Sequence, residues 1–197
     1  KKSKKVNSVT VSFARTMKKE KANVVSVKKE VINLSTKSWE AHIQNLNPLN
    51  ETIFDRLKEV SNDLIFADST GLELSGNKFL TASILFKDLL KKELKGQNIG
   101  LLMPTTSAGA FINYSVLMLG KTTINLNYTS EINSLKSAIT LAEVKSLVTS
   151  KKFIEKLESK GINIKEILDM VEVIYVEDLK PKISKLKGLI TYFSVKF

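Results

Sequence analysis

The sequence predicts an α/β fold built on a parallel sheet, and three observations over residues 98–150 support this prediction. The short apolar run Asn98–Met103 lies between a glycine and a proline, which is typical of a strand buried on both faces. Two further runs with strand character follow at residues 122–126 and 145–149. Apolar residues at helical spacing fill both intervals. Because parallel neighbours need a crossover connection, this alternation predicts parallel strands joined by helices.

The two crossover helices have recognisable ends. The first is predicted over Thr105–Leu119, and Gly120 is suited to terminate it. The second is predicted to open at Ser130, with Thr129 or Ser130 as the capping residue and Glu131 in the first turn. The spacing therefore predicts where both helices begin as well as that they exist.

The loops after the first two strands form the predicted ligand edge of the sheet. Parallel sheets bind ligands beyond the carboxyl ends of their strands, so we expect any chemistry near residues 104–106 and 127–129. Hydroxyl groups at residues 105–107 could meet an anionic ligand at a helix N-terminus, or they could simply cap the helix. The same two interpretations apply to residues 129–131. The residue types favour capping in both loops.

The remaining elements follow from apolar periodicity, and their ends follow from proline, glycine and capping residues. On the N-terminal side we predict a strand over Val6–Phe13, a helix over Asn23–Gln44 ended by Pro48, and a short helix capped by Asn50. A hairpin follows, in which the strands Leu64–Ala67 and Leu72–Leu74 are joined by the turn Asp68–Gly71. A long helix is predicted over Ser75–Leu94. On the C-terminal side we predict a helix after Ser150 reaching Lys160, a Gly161 cap, a short helix over Ile164–Met170 and a strand over Glu172–Val176.

Charge is distributed unevenly along the chain. Residues 1–37 carry 11 Lys and Arg against two Glu, a net charge of +9, whereas the other 160 residues carry 20 against 18, a net charge of +2. A basic segment of this kind can face an anionic membrane or nucleic acid, or it can be a solvated flank. We expect no nucleic acid partner and regard an anionic membrane surface, bound through residues 1–37, as the possible partner.

Composition excludes several classes of site. The chain has no cysteine, which excludes disulfides and thiolate chemistry, and its one histidine, His42, excludes any site that needs two imidazoles. Three patterns resemble motifs but fail on spacing or residue type. The run His42–Asn47 ends in Asn where an acyltransferase needs a carboxylate, and Ser69–Lys78 lacks the spacing of a phosphate loop. The pair Glu177-Asp178 at an element end indicates a helix cap rather than proton transfer.

Three segments together resemble the N-terminal part of AMP-forming acyl-activating enzymes, the family of AMP-binding acyl-CoA synthetases, adenylating ligases and luciferases. They are Ile99–Gly120, Ile124–Glu131 and Ala142–Ser150. Leu74-Ser75 also precedes the long helix as in that family, with Gly76 where the family has an aromatic residue. The form Leu126-Asn-Tyr-Thr is closest to the acyl-[acyl-carrier-protein] synthetase branch.

The N-terminal piece resembles the last strand and helix of a glycerolipid acyltransferase domain, with Ala14 and Thr16 in place of the usual Gly and Pro. We therefore predict two domains, the acyltransferase tail at 1–47 and the start of an AMP-binding domain at 48–197. This order is that of the bifunctional 2-acylglycerophosphoethanolamine acyltransferase/acyl-ACP synthetases.

The resemblance implies a parent enzyme at the cytoplasmic face of an inner membrane. With ATP and Mg²⁺ it would activate a fatty acid as acyl-AMP, pass the acyl group to the thiol of acyl carrier protein, and transfer it to a lysophospholipid. The alternatives are an acyl-CoA ligase without acyltransferase activity, and a basic lipid- or nucleic-acid-binding module.

The catalytic motifs of both families are missing from these 197 residues. The Ser/Thr- and Gly-rich phosphate loop of the adenylating enzymes does not occur, nor does the acyltransferase motif His-x-x-x-x-Asp. We assign no catalytic, cofactor-binding or metal-binding residue here. The expectation is a soluble fragment without catalytic activity and without a bound cofactor.

Overall fold

A computed structural model describes residues 18–19, 22–44 and 46–197. The chain divides into two compact units, Lys1–Asn47 and Pro48–Phe197. The predicted strand Val6–Phe13 lies outside the described residues. Assignment of the first unit to an acyltransferase domain stays a prediction.

The first unit contains one long helix, α1 (Val24–Ile43). Asn23 caps it, because its side chain accepts a hydrogen bond from the Ser26 N–H at 2.9 Å while the Ser26 hydroxyl accepts from the Asn23 N–H at 3.0 Å. The predicted helix over Asn23–Gln44 is thereby confirmed, including the residue that opens it.

The second unit alternates helices and strands throughout. Its helices are α2 (Leu49–Glu59), α3 (Gly76–Glu93), α4 (Ser107–Leu117), α5 (Ile132–Leu141), α6 (Lys151–Ser159), α7 (Lys165–Leu168), α8 (Val176–Leu179) and α9 (Lys185–Lys196), with a 3₁₀ turn at Lys180–Lys182. Its strands are β1 (Leu64–Ala67), β2 (Glu73–Ser75), β3 (Asn98–Leu102), β4 (Thr122–Asn125), β5 (Ser146–Thr149) and β6 (Glu172–Tyr175).

Four of these strands form one parallel sheet in the order β4-β3-β5-β6, and β1 pairs with β2 as an antiparallel hairpin. In the sheet, Gly100 lies opposite Ile124 of β4 and Leu147 of β5, and Leu147 lies opposite Val173 of β6. The predicted parallel arrangement of the three central strands is confirmed. Strand β3 lies between β4 and β5, so its carboxyl end lies beside the loops that follow these two strands.

The central strand β3 is buried on both faces, which explains why its sequence is apolar without alternation. On one face, Ile99 and Leu101 of β3 pack in a core with α2, α3, α4 and α9. On the other face, Leu102 and its neighbour Leu147 pack in a second core with α5, α6 and α7. Successive side chains of a strand point to opposite faces, so one strand serves both cores.

Several predicted helix ends are confirmed, and two are wrong. Ser75, Thr106 and Ser150 cap α3, α4 and α6, and Gly120 and Gly161 have the positive φ expected of glycines that end helices. Gly96 also has a positive φ, but α3 already ends at Glu93 with an extended residue at Leu94, so Gly96 lies in the turn that follows the helix. Asn50 does not cap α2, because the helix already begins at Leu49 after Pro48. Proline fixes φ near the helical value, so the helix begins two residues earlier than a cap at Asn50 would place it.

The predicted cap of α5 is also wrong. The helix begins at Ile132, with Glu131 at the capping position and no side-chain capping bond. Thr129 instead donates its hydroxyl and its N–H to the Asn127 side chain, at 2.8 and 3.1 Å. A local turn of this type competes with capping for the same groups.

The position of Gly76 is explained by close backbone packing. A Cβ atom at this residue would lie 2.5 Å from the Leu57 carbonyl oxygen and 2.6 Å from that of Val60. The start of α3 therefore lies directly against the end of α2, and no larger side chain fits. This accounts for glycine at residue 76.

Candidate functional site

A cavity of about 530 Å³ lies at the carboxyl ends of β3 and β4. It is bounded by the loop after each of these strands, the first turns of α4 and the hairpin strand β1. The sequence predicted a site near residues 104–106 and 127–129, and the structure brings Pro104, Thr105, Thr106, Asn127 and Tyr128 into this one cavity. Thr129 does not line it.

The floor of the cavity is apolar and its walls carry amide groups. Leu101, Met103 and Leu126 come from the two strand ends, and Phe66 comes from β1. Asn113 of α4 donates to the Asn125 side chain at 3.1 Å. The side-chain carbonyl of Asn113 in turn accepts a hydrogen bond from the Thr123 hydroxyl at 2.9 Å. These two bonds fix the orientation of the Asn113 and Asn125 side-chain amides.

Asp68, which the sequence analysis placed in a hairpin turn, also lies at this cavity. The turn between β1 and β2 is confirmed. In addition, the Asp68 carboxylate accepts a hydrogen bond from the Ser107 N–H of α4 at 2.7 Å. Hydrogen bonds from the Thr70 hydroxyl and from Ser107 lower the pKa of Asp68 well below its ordinary value. A carboxylate therefore occupies the N-terminus of α4, the position where an anionic ligand was considered.

In the predicted 105–107 cluster, the Thr106 hydroxyl serves the helix start, whereas the buried Ser107 hydroxyl has no hydrogen-bond partner among the described residues. Thr106 accepts the Gly109 N–H at 3.4 Å, which makes it the cap of α4. Ser107 is 2% exposed, and its N–H is used by Asp68. The structure thus agrees with the capping interpretation for Thr106. Sequence spacing alone could not show that Asp68, 39 residues earlier, supplies the negative charge.

The second loop is fixed by ring packing as well as by its turn. The Tyr128 ring meets the Phe153 ring edge-on, with ring centroids 5.0 Å apart. Phe153 belongs to α6, so the aromatic contact ties the loop after β4 to the helix after β5. The edge-to-face geometry is a favourable one for aromatic pairs.

The pair Glu177-Asp178 caps a helix, as its sequence position indicated. Glu177 accepts the Ser150 hydroxyl at 2.6 Å and the N–H groups of Lys151 and Lys152 at 3.0 and 3.3 Å. Burial opposes ionisation of Glu177, but these hydrogen bonds outweigh it and lower its pKa below the ordinary value. Asp178 forms an ion pair with Lys151. Both carboxylates are engaged in holding the N-terminus of α6.

A second cavity of about 520 Å³ is almost entirely apolar. It lies among α3, α4 and the segment from α8 to Ile183, and includes Leu85, Phe111 and Val176. Lys152, Glu177 and Lys180 also line it, but the Glu177 carboxylate is already engaged at the N-terminus of α6, so we take the first cavity as the candidate site.

The described residues do not fit ATP with magnesium by themselves. Within residues 18–19, 22–44 and 46–197, no group of three His, Cys, Asp or Glu side chains is placed to hold a metal ion. The phosphate loop of the acyl-activating family is also missing from the sequence. We therefore derive no reaction step through the nucleotide from these residues.

No protein-family model matches the chain. Solved structures with a similar fold include the N-terminal subdomain of NpsA from Klebsiella oxytoca, in complex with 3-hydroxyanthranilyl-AMSN, at 10% identity and a TM-score of 0.55. O-succinylbenzoate coenzyme A synthetase (MenE) from Bacillus subtilis, in complex with AMP, matches at 15% identity and a TM-score of 0.57. VinN matches at 15% identity and a TM-score of 0.56.

These matches cover most of this chain but a minor part of the others. NpsA and MenE cover 71% of this chain and VinN covers 76%, whereas the covered shares of the three other chains are 32%, 34% and 37%. The chain thus spans about a third of the length of the structures that it matches. At this identity the likeness concerns the fold, and the fold is that of the N-terminal subdomain of adenylating enzymes.

Proposed function

We propose that residues 48–197 are the first part of an AMP-forming acyl-activating domain, and that residues 1–47 are the tail of a glycerolipid acyltransferase domain. The observation that carries the proposal is the parallel sheet with its cavity at the carboxyl ends of β3 and β4. The loop Asn127–Thr129, which belongs to the family-like run after β4, lines this cavity through Asn127 and Tyr128.

The proposed parent enzyme uses ATP and Mg²⁺ to activate a fatty acid as acyl-AMP. It passes the acyl group to acyl carrier protein and to a lysophospholipid at the cytoplasmic face of an inner membrane. The contribution of this chain is a wall of the acyl and nucleotide pockets. Its apolar floor suits the acyl chain, and the Asn113 and Asn125 amides offer fixed polar groups beside it.

The first experiment measures pyrophosphate exchange. We expect the 197-residue chain, supplied with ATP, Mg²⁺ and a long-chain fatty acid, to exchange pyrophosphate into ATP only at the background rate. The full-length product of the same gene should exchange it in a fatty-acid-dependent manner. Exchange by the 197-residue chain, or a full-length product that ends at Phe197, would contradict the proposal.

A pair of variants tests the role of the cavity in the full-length protein. Asn113→Ala removes an amide at the cavity wall and leaves the Thr123 hydroxyl without its acceptor, so we expect a several-fold loss of exchange. Asn133→Ala makes the same change on the exposed surface of α5 and should leave exchange unchanged. Equal effects of the two variants would argue against the cavity as a substrate wall.

The alternative within the enzyme class is an acyl-CoA ligase without lysolipid chemistry. The two differ in the acceptor thiol and in the residues that precede Lys1. Transfer of the activated acyl group to coenzyme A rather than to acyl carrier protein, with no His-x-x-x-x-Asp motif upstream, would favour the ligase.

A further inference from the structure

Helix α1 exposes an apolar face along its length. None of its twenty described residues is buried. Its large apolar side chains are nevertheless numerous, and Trp39 and Ile32 are 59% and 56% exposed. In a helix that belongs to a folded core, such residues are normally the ones removed from water.

The apolar face is wide. At 100° per residue, the apolar side chains of α1 cover an arc of about 180°. The apolar members of this arc, in angular order, are Leu34, Val27, Val31, Val24, Trp39, Ile32, Val25 and Ile43, and the polar residues Ser38, His42, Ser35 and Lys28 also fall within it. The opposite face carries Lys29 and Lys37 among other polar residues. This arc is wider than the apolar stripe by which two helices pair in a coiled coil. Its width is typical of helices that lie on a flat apolar surface.

Positive charge accompanies this face. Residues 1–47 carry 11 Lys and Arg against three Glu, a net charge of +8, whereas residues 48–197 carry 20 against 17, a net charge of +3. Lys18 and Lys19, both exposed, precede the helix. Lys28 lies within the apolar arc, and its long stem allows the ammonium group to reach the polar side.

From these two features we propose that α1 is an interfacial helix that binds an anionic lipid surface. It lies in the plane of the membrane, with Val31, Ile32 and Trp39 at the boundary between headgroups and acyl chains and the lysines among the headgroups. A helix of this kind does not cross the bilayer, and none of the described helices is long and apolar enough to do so. The inference goes beyond the proposed chemistry and does not depend on it.

Other partners account for only part of the observations. Nucleic acid would use the lysines through its phosphates but would leave the eight apolar side chains in water. A protein surface, including the remainder of the acyltransferase domain proposed for residues 1–47, would cover the apolar side chains but would not require the excess of positive charge. An anionic membrane uses both.

Trp39 gives a direct measurement, because it is the only tryptophan in the chain and lies in the apolar arc. Vesicles of phosphatidylglycerol and phosphatidylethanolamine, added to the 197-residue chain, should shift its emission to shorter wavelength. Bromine-labelled acyl chains should quench that emission. Vesicles of phosphatidylcholine should bind more weakly, and added salt should weaken binding to the anionic vesicles.

Two variants with the same change in charge separate insertion from simple attraction. Ile32→Glu places a carboxylate in the apolar arc and should weaken vesicle binding about tenfold or more, since an apolar side chain is lost from the interface. Asn33→Glu places the carboxylate on the exposed polar face and should weaken it less than about threefold. Because neither residue is buried, circular dichroism should show both variants folded.

Four outcomes would overturn the proposal. They are an unchanged Trp39 emission with anionic vesicles, an equal loss of binding in both variants, an equal shift with duplex DNA, and a Trp39 emission in the full-length protein that is already at short wavelength without lipid. The last would show that another part of that protein covers the apolar face.

Discussion

The two longest helices of the molecule, α1 and α3, have similar sequence patterns and opposite environments. α1 has 20 residues and α3 has 18, and apolar residues recur at helical spacing in both. Nine residues of α3 are buried, including Leu80 and Leu90, whereas none of the described residues of α1 is. Periodicity thus predicts that a helix forms and which side is apolar. It does not predict what that side contacts.

The largest expected effect on this comparison comes from truncating one apolar side chain to alanine in each helix. Leu80→Ala in α3 should lower the free energy of unfolding by about 3 kcal/mol, because it leaves a cavity at a residue only 1% exposed. Val31→Ala in α1 should change it by less than about 0.5 kcal/mol. Urea unfolding of both variants measures the difference, and comparable losses would show that α1 also contributes to a core.

The second test concerns the close contact at the start of α3. Gly76→Ala should destabilise the protein by about 2 kcal/mol, because the new Cβ would meet two backbone carbonyls of α2 at 2.5 and 2.6 Å. Gly188→Ala in α9 is the matched control. Nothing lies within 4 Å of a Cβ there, and alanine favours the helix by up to about 1 kcal/mol. Thermal unfolding should move in opposite directions for the two variants, and a shift in the same direction would contradict this account.

The third test separates helix ends held by distant residues from those held locally. Glu177, 26 residues away, accepts the first N–H groups of α6, so Glu177→Gln should cost about 1 kcal/mol at neutral pH. Because its pKa is lowered on folding, its contribution is fully present above the ordinary glutamate pKa of about 4.3. That contribution is lost as pH falls through the lower folded pKa. The free energy of unfolding of the variant should therefore depend less on pH in that range.

Glu155→Gln, on the exposed side of α6, is the control for this pH series. It should follow the parent protein at every pH. If Glu177→Gln does so as well, the tertiary cap of α6 contributes nothing measurable.

The smallest expected effect is on the local cap of α1. Asn23→Ala removes the side chain that accepts the Ser26 N–H and should fray the first turn of that helix. Since α1 buries none of its described residues, the free energy of unfolding of the second unit should change by less than about 0.5 kcal/mol. Hydrogen exchange at residues 24–30 should rise without a change elsewhere. A global loss of stability would show that α1 is coupled to the second unit.

The sequence by itself determined the order of elements and the parallel sheet. Strand β3 is recognisable because both of its faces are apolar, and the helix ends at Gly120 and Gly161 are recognisable because glycine tolerates positive φ. Capping by Ser75 and Ser150 is equally local. These properties depend on neighbours within a few residues, so a single sequence contains the information.

Tertiary structure alone decided the features that join distant residues. Asp68 at the start of α4, Glu177 at the start of α6 and Gly76 against the end of α2 each depend on which element lies beside them. The same holds for the cavity, where loops from two strands meet the hairpin. Charge, hydrogen bonding and close packing act over a few ångströms in space, whereas the residues concerned lie tens of positions apart in the chain.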